Sequence, residues 1–376
     1  MPDFLTGTRV VDVSQYVPGP YAALQLADMG ADVIKVEPPA GDPMRRLVTI
    51  DPDGLSPLYK VVNGGKTVVR LDLKSDAGKT AFEALLVAAD VLVESYRPGV
   101  MDRLGFDRAR VEALNPGLVH CAITGWGQTG PYRLRANHDL NCMALGGGLA
   151  ASGTADEPVM AWPPASDYAS GIQGAAAVCG ALIRRGRTGR GAYIDMSMME
   201  TVLAWQSGGL TTAARPGLAP RRARGLINGG AACYGIYRTA DGRFLTLGNL
   251  EEKFWANFCA AAGRPDWVAR QGEPMPQDAL IAEVAAAIAA RTLAEWEAVL
   301  DGVDTCYQAV LDFDEVPDHP HIKARQLVHR FDDDRIEVAF PAWVDGRPPD
   351  PRPLVAEVSA AAAVERWASP ANTKVR

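Results

Sequence analysis

His138 and Asp139 stand together in NHDLNCMALGG (137–147), a stretch otherwise made of amide, small and apolar residues. The chain has five histidines: His319, His321 and His329 fall close together late in the sequence, and His120 is embedded in an apolar run. Imidazole exchanges protons readily near neutral pH, so His138 is a candidate acid or base, oriented by Asp139 or by a more distant acid. The same dipeptide also suits an ordinary turn, with Asp139 bonded to local backbone and His138 in solvent.

Two more carboxylates stand where they could act. Asp167 lies in WPPASDYASGIQG, just ahead of an Ala-rich helical run. Either Ser166 or Asp167 is expected to cap that helix. A carboxylate anchored there can also serve as nucleophile or acid/base. The helix end favours its charged form, so an acid role requires burial to raise its pKa. Glu251, in LGNLEEKFW, opens another helical pattern, a place where the helix dipole favours acids in any case.

A basic set accompanies them: Lys35, Arg45, Arg46, Lys66, Lys74, Arg97 and Arg103. Most fall at strand ends or in loops of an α/β pattern, and ligands of such folds bind at the carboxyl ends of strands. The set is either a solvated rim or a site for a phosphate-bearing ligand. A dinucleotide is not the candidate. The first β–α turn reads SQYVPGPYAA, without the G-x-G-x-x-G glycines that let pyrophosphate approach the backbone, although Glu37 ends the second strand. The net charge of −7 argues against general nucleic-acid binding. The six cysteines (121, 142, 179, 233, 259 and 306) form no C-x-x-C pair, so neither zinc nor a disulfide framework is indicated. No secretory signal opens the sequence, and the longest bland run, GIQGAAAVCGALI, is too short to span a bilayer. The expected location is cytoplasmic.

These residues need a scaffold, and the pattern supplies one. RVVDV (9–13) reads as a strand, PGPYAALQLADMG (18–30) as a helix, and DVIKVEPP (32–39) as a second strand stopped by prolines. TVVRLDL (67–73), a helix over 75–89 capped by Ser75, DVLVESY (90–96), a short helix closing at VEALNPG and LVHCAITGWG (118–127) continue the alternation. The first 130 residues are therefore expected to form a doubly wound α/β domain. A helix over 171–185 stopped at RTGRG and a strand AYIDMSM (192–198) extend it. Residues 214–230 are rich in Pro, Gly and Arg and read as a linker. A hairpin over 233–250 turning at ADGR, then helices over 251–262, 277–290 and 293–300, indicate a small second domain. The expected division is a large α/β domain over 1–213, completed by 325–376, and a small α+β domain over 231–324.

Seven collinear stretches carry a resemblance: MGADVIKVEPPAGDPMR, NGGKTVVRLDLKS, VLVESYRPGVMDRLG, NPGLVHCAITGWGQTGPY, RTGRGAYIDMSM, YRTADGRFLTLG and DEVPDHPHIKARQLV. Together they are similar to the family III CoA-transferases and the related α-methylacyl-CoA racemases over nearly the whole chain. The racemase branch resembles this chain more closely. Its members share a GHD-x-N-Y loop, matched by NHDLNC, an aspartate matched by Asp167, and a G-x-L-E-x-x-F stretch matched by GNLEEKF and so by Glu251. Transferases tend to carry an aromatic residue where this chain has His138, and often a glycine run in the small domain; Gly229–Gly230 is the nearest thing here. Asn137, Cys142, Gly64 and Pro38 depart from the pattern: they stand where relatives have Gly, Tyr and, at the last two, often Arg.

The resemblance implies a Rossmann-like large domain, a small domain and an interlocked homodimer in which Glu251 acts across the interface on His138. It implies epimerisation of 2-methyl-branched acyl-CoA thioesters of lipid metabolism, with His138 and Asp167 exchanging the α-proton, Glu251 fixing the imidazole tautomer, and Asp139 and Asn141 in support. Backbone N–H groups near Asp167 would hold the enolate oxygen. CoA would be bound by Lys35, Asn63, Gly65, Lys66, Arg97, Arg103 and Asn137. No tightly bound cofactor, metal, nucleic acid or membrane is expected; CoA comes with the substrate. The alternative is a CoA-transferase in which Asp167 attacks the acyl-CoA to give a mixed anhydride.

Overall fold

The computed structural model describes residues 2–332 and 335–368. In chain order its strands are β1 (Arg9–Asp12), β2 (Asp32–Glu37), β3 (Thr67–Arg70), β4 (Val91–Glu94), β5 (Val119–Thr124), β6 (Ala192–Ser197), β7 (Tyr234–Arg238), β8 (Phe244–Gly248), β9 (Tyr307–Ala309), β10 (Val328–Arg330), β11 (Ile336–Val338) and β12 (Ala356–Val358). The helices are α1 (Pro18–Asp28), α2 (Pro57–Asn63), α3 (Asp76–Ala88), α4 (Val100–Leu104), α5 (Arg108–Leu114), α6 (Asp139–Leu145), α7 (Ala165–Thr188), α8 (Met198–Trp205), α9 (Ser207–Ala213), α10 (Glu252–Ala261), α11 (Asp278–Ile288), α12 (Leu293–Leu300), α13 (Pro320–Ala324) and α14 (Ala360–Ala368). Among these residues no helix is long and apolar enough to cross a membrane.

Seven of the described strands form one sheet in the order β12-β3-β2-β1-β4-β5-β6, and every pairing in it is parallel. Reversal of strand order at β1 is the mark of a doubly wound fold. Successive side chains alternate between the two faces. Val11, Ile34 and Leu92 pack with Phe82 and Leu85 of α3 and Trp367 of α14, while Val10, Val33 and Val91 pack with Leu26 of α1 and Val178 of α7. A sheet covered on both faces produces unbroken apolar runs, and all six residues of β5 are buried.

Local signals explain the helix ends. Ser75 Oγ accepts from Gly78 N at 3.1 Å and caps α3. Gly189, at φ +70, stops α7. Helices α1 and α7 meet closely because Gly171 has no side chain: a Cβ there would lie 2.9 Å from Pro18 O and 3.0 Å from the Tyr21 ring. This close approach sets the first turns of α7, and hence Asp167, beside α1.

The chain divides into two compact units, and their bounds correct the expected ones. Of the described residues, the large unit holds those within 2–146, 162–204 and 320–368, and the small unit holds 147–161 and 205–319. The expected limits at 213 and 231 fail because the intervening residues are not a free linker. Asn228 Nδ2 donates to Ala151 O at 3.0 Å and to Arg221 O at 2.9 Å, and Arg222 reaches Asp156 O, so Gly147–Ala161 and 214–230 fold together. The returning C-terminal segment adds β12 beside β3; residues 369–376 of the expected closing segment lie outside the described ones.

In the small unit β7, β8 and β9 form an antiparallel sheet. Residues 239–243 make the hairpin turn, with Gly242 at φ +80. Its core is aromatic: Trp255 stacks on Phe258 and Trp267, and Phe258 on Trp296, at centroid distances of 5.6, 6.4 and 6.2 Å. The indole N–H groups of Trp255 and Trp296 donate to Trp267 O and Ile288 O, so the burial leaves no donor unmet.

Candidate active site

Asn137, His138 and Asp139 lie in the chain that follows the carboxyl end of β5. Gly125 follows that strand and has no room for a side chain: a Cβ would overlap Asn137 Nδ2 at 1.1 Å. Asn137 lies on the glycine and donates to Cys142 Sγ at 3.4 Å, and the thiol and Ser197 Oγ both donate to Gly125 O, at 3.6 and 3.2 Å. The Gln128 N–H donates to the Asp195 carboxylate of β6. Asn137 and Cys142, two of the departures from the family pattern, thus pack against each other. Burial pushes the Cys142 thiol up to about 11, so it stays protonated.

His138 is the N-cap of α6, and Asn141 Oδ1 accepts its backbone N–H at 3.0 Å. Its ring is exposed and meets the edge of Tyr16 at a centroid distance of 6.3 Å. Tyr16 was not found from the sequence. It sits at φ +64, a left-handed conformation that costs a bulky L-residue on the order of 1–2 kcal/mol. Its loop is held to β4: Gln15 N donates to Ser95 Oγ at 2.9 Å, and that hydroxyl donates back to Gln15 O at 3.2 Å.

Asp139 neither makes a local turn nor orients the imidazole. Its Oδ1 accepts from Ser166 N at 2.6 Å, Ser166 Oγ at 2.7 Å and Asp167 N at 3.3 Å. Asp139 therefore caps α7 from another helix. Neither Ser166 nor Asp167 is the cap, contrary to the sequence expectation: α7 begins at Ala165, with Pro164 at the cap position and Asp167 within the first turn. The Ser166 and Asp167 N–H groups, which lie in the stretch expected to hold an enolate oxygen, are engaged by this carboxylate.

Asp167 is partly buried, and burial followed by the nearby Asp139 charge raises its carboxyl to about 7, against the pull of the helix dipole. The desolvation an acid role requires is present. His138 and Asp167 each adjoin a residue of the Asp139–Ser166 junction, which fixes the ends of α6 and α7 to each other.

Lys35, Lys66 and Asn63 do not belong to an open ligand site. Both lysines are fully buried. Lys66 Nζ donates to Asp12 Oδ2 (2.8 Å), Pro20 O (2.8 Å) and Asn63 Oδ1 (3.0 Å), which uses its three donors. Lys35 Nζ donates to Ser14 O at 2.8 Å and pairs with Asp42 at 3.0 Å. Ser14 Oγ donates to Asp12. Burial alone would raise the Asp12 carboxyl, but Lys35 and Lys66 outweigh it and hold the group below its usual range. Burial lowers Lys66 to about 8, partly offset by Asp12. These cations are committed to the protein interior, a correction to the role that the resemblance implied.

Arg97 and Arg103 are exposed, on either side of Gly99, which precedes α4. Gly65, at φ +76, donates its N–H to Pro353 O at 2.8 Å. The space beside Gly64 is taken by Arg352, whose Cδ would lie 3.1 Å from a Cβ there and whose guanidinium grips Asp28 through two bonds of 2.5 and 2.6 Å. Glu251 belongs to the small unit, where it is the N-cap residue of α10 and exposed; its C=O accepts from Trp255 N. Among the described residues no three His, Cys, Asp or Glu side chains are grouped so as to hold a metal ion.

Fold and sequence agree on the class: the chain belongs to CoA-transferase family III, whose model matches residues 5–357. Its relatives include both activities of the family. It is 33% identical to the alpha-methylacyl-CoA racemase of Homo sapiens over 331 residues, covering 85% of this chain and 81% of that one. It is 31% identical to the acetyl-CoA:oxalate CoA-transferase of Acetobacter aceti, covering 86% and 84%. A CAIB/BAIF family protein from Brucella suis has a similar crystal structure, with a TM-score of 0.84 at 25% identity, covering 97% of this chain and 99% of that one.

Proposed function

We propose that this protein epimerises 2-methyl-branched acyl-CoA thioesters by removing the α-proton on one face and returning one on the other. The supporting observation is the Asp139 junction, which brings together the helix ends bearing His138 and Asp167 while the Asp167 carboxyl rises to about 7. A thioester carbonyl takes up enolate charge, which acidifies the α-carbon. The proton then needs one base and one acid on opposite faces. Neutral His138 with protonated Asp167 serves one hand of the substrate; imidazolium with ionised Asp167 serves the other. A carboxyl raised to about 7 can hold or give up its proton near neutral pH, as the two directions require.

CoA would lie along Arg97, Arg103 and Asn137, with Gly65 leaving backbone room. We include in the proposal a homodimer in which Glu251 of a second copy bonds the imidazole of His138.

The transferase reading uses Asp167 as an ionised nucleophile. The raised pKa favours proton transfer over it. Incubation of one enantiomer of a 2-methylacyl-CoA in deuterium oxide without any carboxylic acid acceptor separates the two. Epimerisation predicts one deuteron incorporated with loss of optical purity, abolished in His138→Ala. Absence of exchange, together with hydroxylamine-sensitive acylation of Asp167, would establish the transferase instead.

A further inference from the structure

A cavity of about 500 Å³ opens at the other end of β5 and β6, with walls from the large unit alone. Arg108 at the start of α5, Arg184 near the end of α7, and Arg190 before β6 all line it. Arg184 Nη2 donates to Gly191 O at 2.5 Å, and the Arg108 guanidinium lies 4.8 Å from the centroid of the Tyr193 ring. Among the described residues none of the three arginines forms an ion pair with a carboxylate, although Glu112 stands at the wall. Three arginines thus line one hollow without a carboxylate paired to any of them among the described residues.

His120 completes the wall. It is the second residue of β5, 6% exposed, and its ring meets the edge of Tyr193 at 4.9 Å. Neither ring nitrogen has a hydrogen-bond partner among the described residues. Two buried ring nitrogens without a protein partner cost stability unless a ligand or water in the cavity meets them. Burial, followed by the Arg108 charge, lowers His120 to about 4. The ring is therefore neutral at working pH and offers one N–H donor beside the cations.

The reaction site does not account for this. His120 and Gly125 are five residues apart on an extended strand, about 16 Å. A smaller recess of about 50 Å³ shares Arg108, His120 and Tyr193 and is also lined by Arg97. Competition by CoA is therefore the necessary control.

We propose that the cavity binds a small phosphate monoester, its oxyanion held by Arg108, Arg190 and the His120 N–H, its apolar part against Val111 and Leu118. Forked guanidinium donors match phosphate oxygens, and a dianion answers more than one of the cations. The test is calorimetric titration of the full-length protein with phenyl phosphate, with benzoate as the carboxylate control, each with and without saturating CoA.

The proposal predicts saturable one-to-one binding of phenyl phosphate that survives CoA, with benzoate weaker. Arg190→Gln should weaken binding at least about tenfold, the worth of one charge-assisted hydrogen bond. His120→Phe should weaken it while melting no lower than the parent, because it removes the unmet nitrogens; this separates lost binding from lost folding. Absence of binding, benzoate binding as tightly, displacement by CoA, or unchanged affinity in both variants would each overturn it.

Discussion

Two groups of charged residues in the large unit are treated in opposite ways. Asp12, Lys35, Lys66 and Asp42 alternate in sign, are fully enclosed and engage one another through short bonds. Asp139 and Asp167 share a junction in which, among the described residues, no cation pairs with either carboxylate. The first arrangement holds Asp12 ionised despite burial; in the second, burial and then the Asp139 charge raise Asp167 to about 7. A compensated cluster serves the scaffold, and an uncompensated one leaves a proton free to move.

The largest effect should follow from breaking the compensated cluster. Asp12→Asn leaves two buried ammonium groups without their shared carboxylate and should cost about 3–5 kcal/mol in denaturant unfolding. A loss below about 1 kcal/mol would show the cluster to be ordinary surface-like pairing.

The uncompensated site should behave in the opposite sense. Asp167 binds its proton more tightly folded than unfolded. Its penalty is therefore absent below the unfolded pKa of 3.8, grows as pH rises, and is complete above about 7. Asp167→Asn should accordingly raise the melting temperature at pH 8 by about 2–4 °C, with little change near pH 4. Equal shifts at the two pH values would remove the raised carboxyl from the account.

A finer change isolates the neighbour. Asp139→Asn keeps an oxygen to cap α7 but removes the like charge. The Asp167-dependent limb of the kcat/KM profile should move to lower pH, while burial keeps it above the ordinary carboxylate range. The smallest effect belongs to Tyr16. Tyr16→Gly relieves a left-handed backbone and should stabilise by up to about 1 kcal/mol, while kcat falls as the imidazole loses its edge contact.

The scaffold was legible because its signals are local. Alternating β-branched runs, Ser75, Gly189 and the ADGR turn each act within a few residues. His138, Asp167 and Glu251 were singled out through motif similarity, not through geometry. What sequence reading missed is long-range. Asp139 caps a helix 27 residues away, so the local capping rule named Ser166 and Asp167 in its place. Lys35 and Lys66 looked like ligand cations because a lysine inside β2 or just before β3 carries no mark in the sequence of the carboxylate it will be buried against. Tyr16 carries no glycine-like signal for a positive φ. The unit boundaries failed because the small unit is entered twice, and Gly147–Ala161 joins it ahead of the segment that composition marked as a linker.

The central claim is that His138 and Asp167 serve opposite faces of one carbon and share one proton. It predicts the same bell-shaped kcat/KM profile from either hand of the substrate, since both directions use the singly protonated pair. The most direct measurement is deuterium exchange catalysed by Asp167→Asn, with each enantiomer of a 2-methylacyl-CoA tested separately. The account predicts exchange at the α-carbon from one enantiomer alone, by His138, with configuration retained and inversion reduced about 10²–10⁴-fold. Equal exchange from both enantiomers, or undiminished inversion, would contradict it.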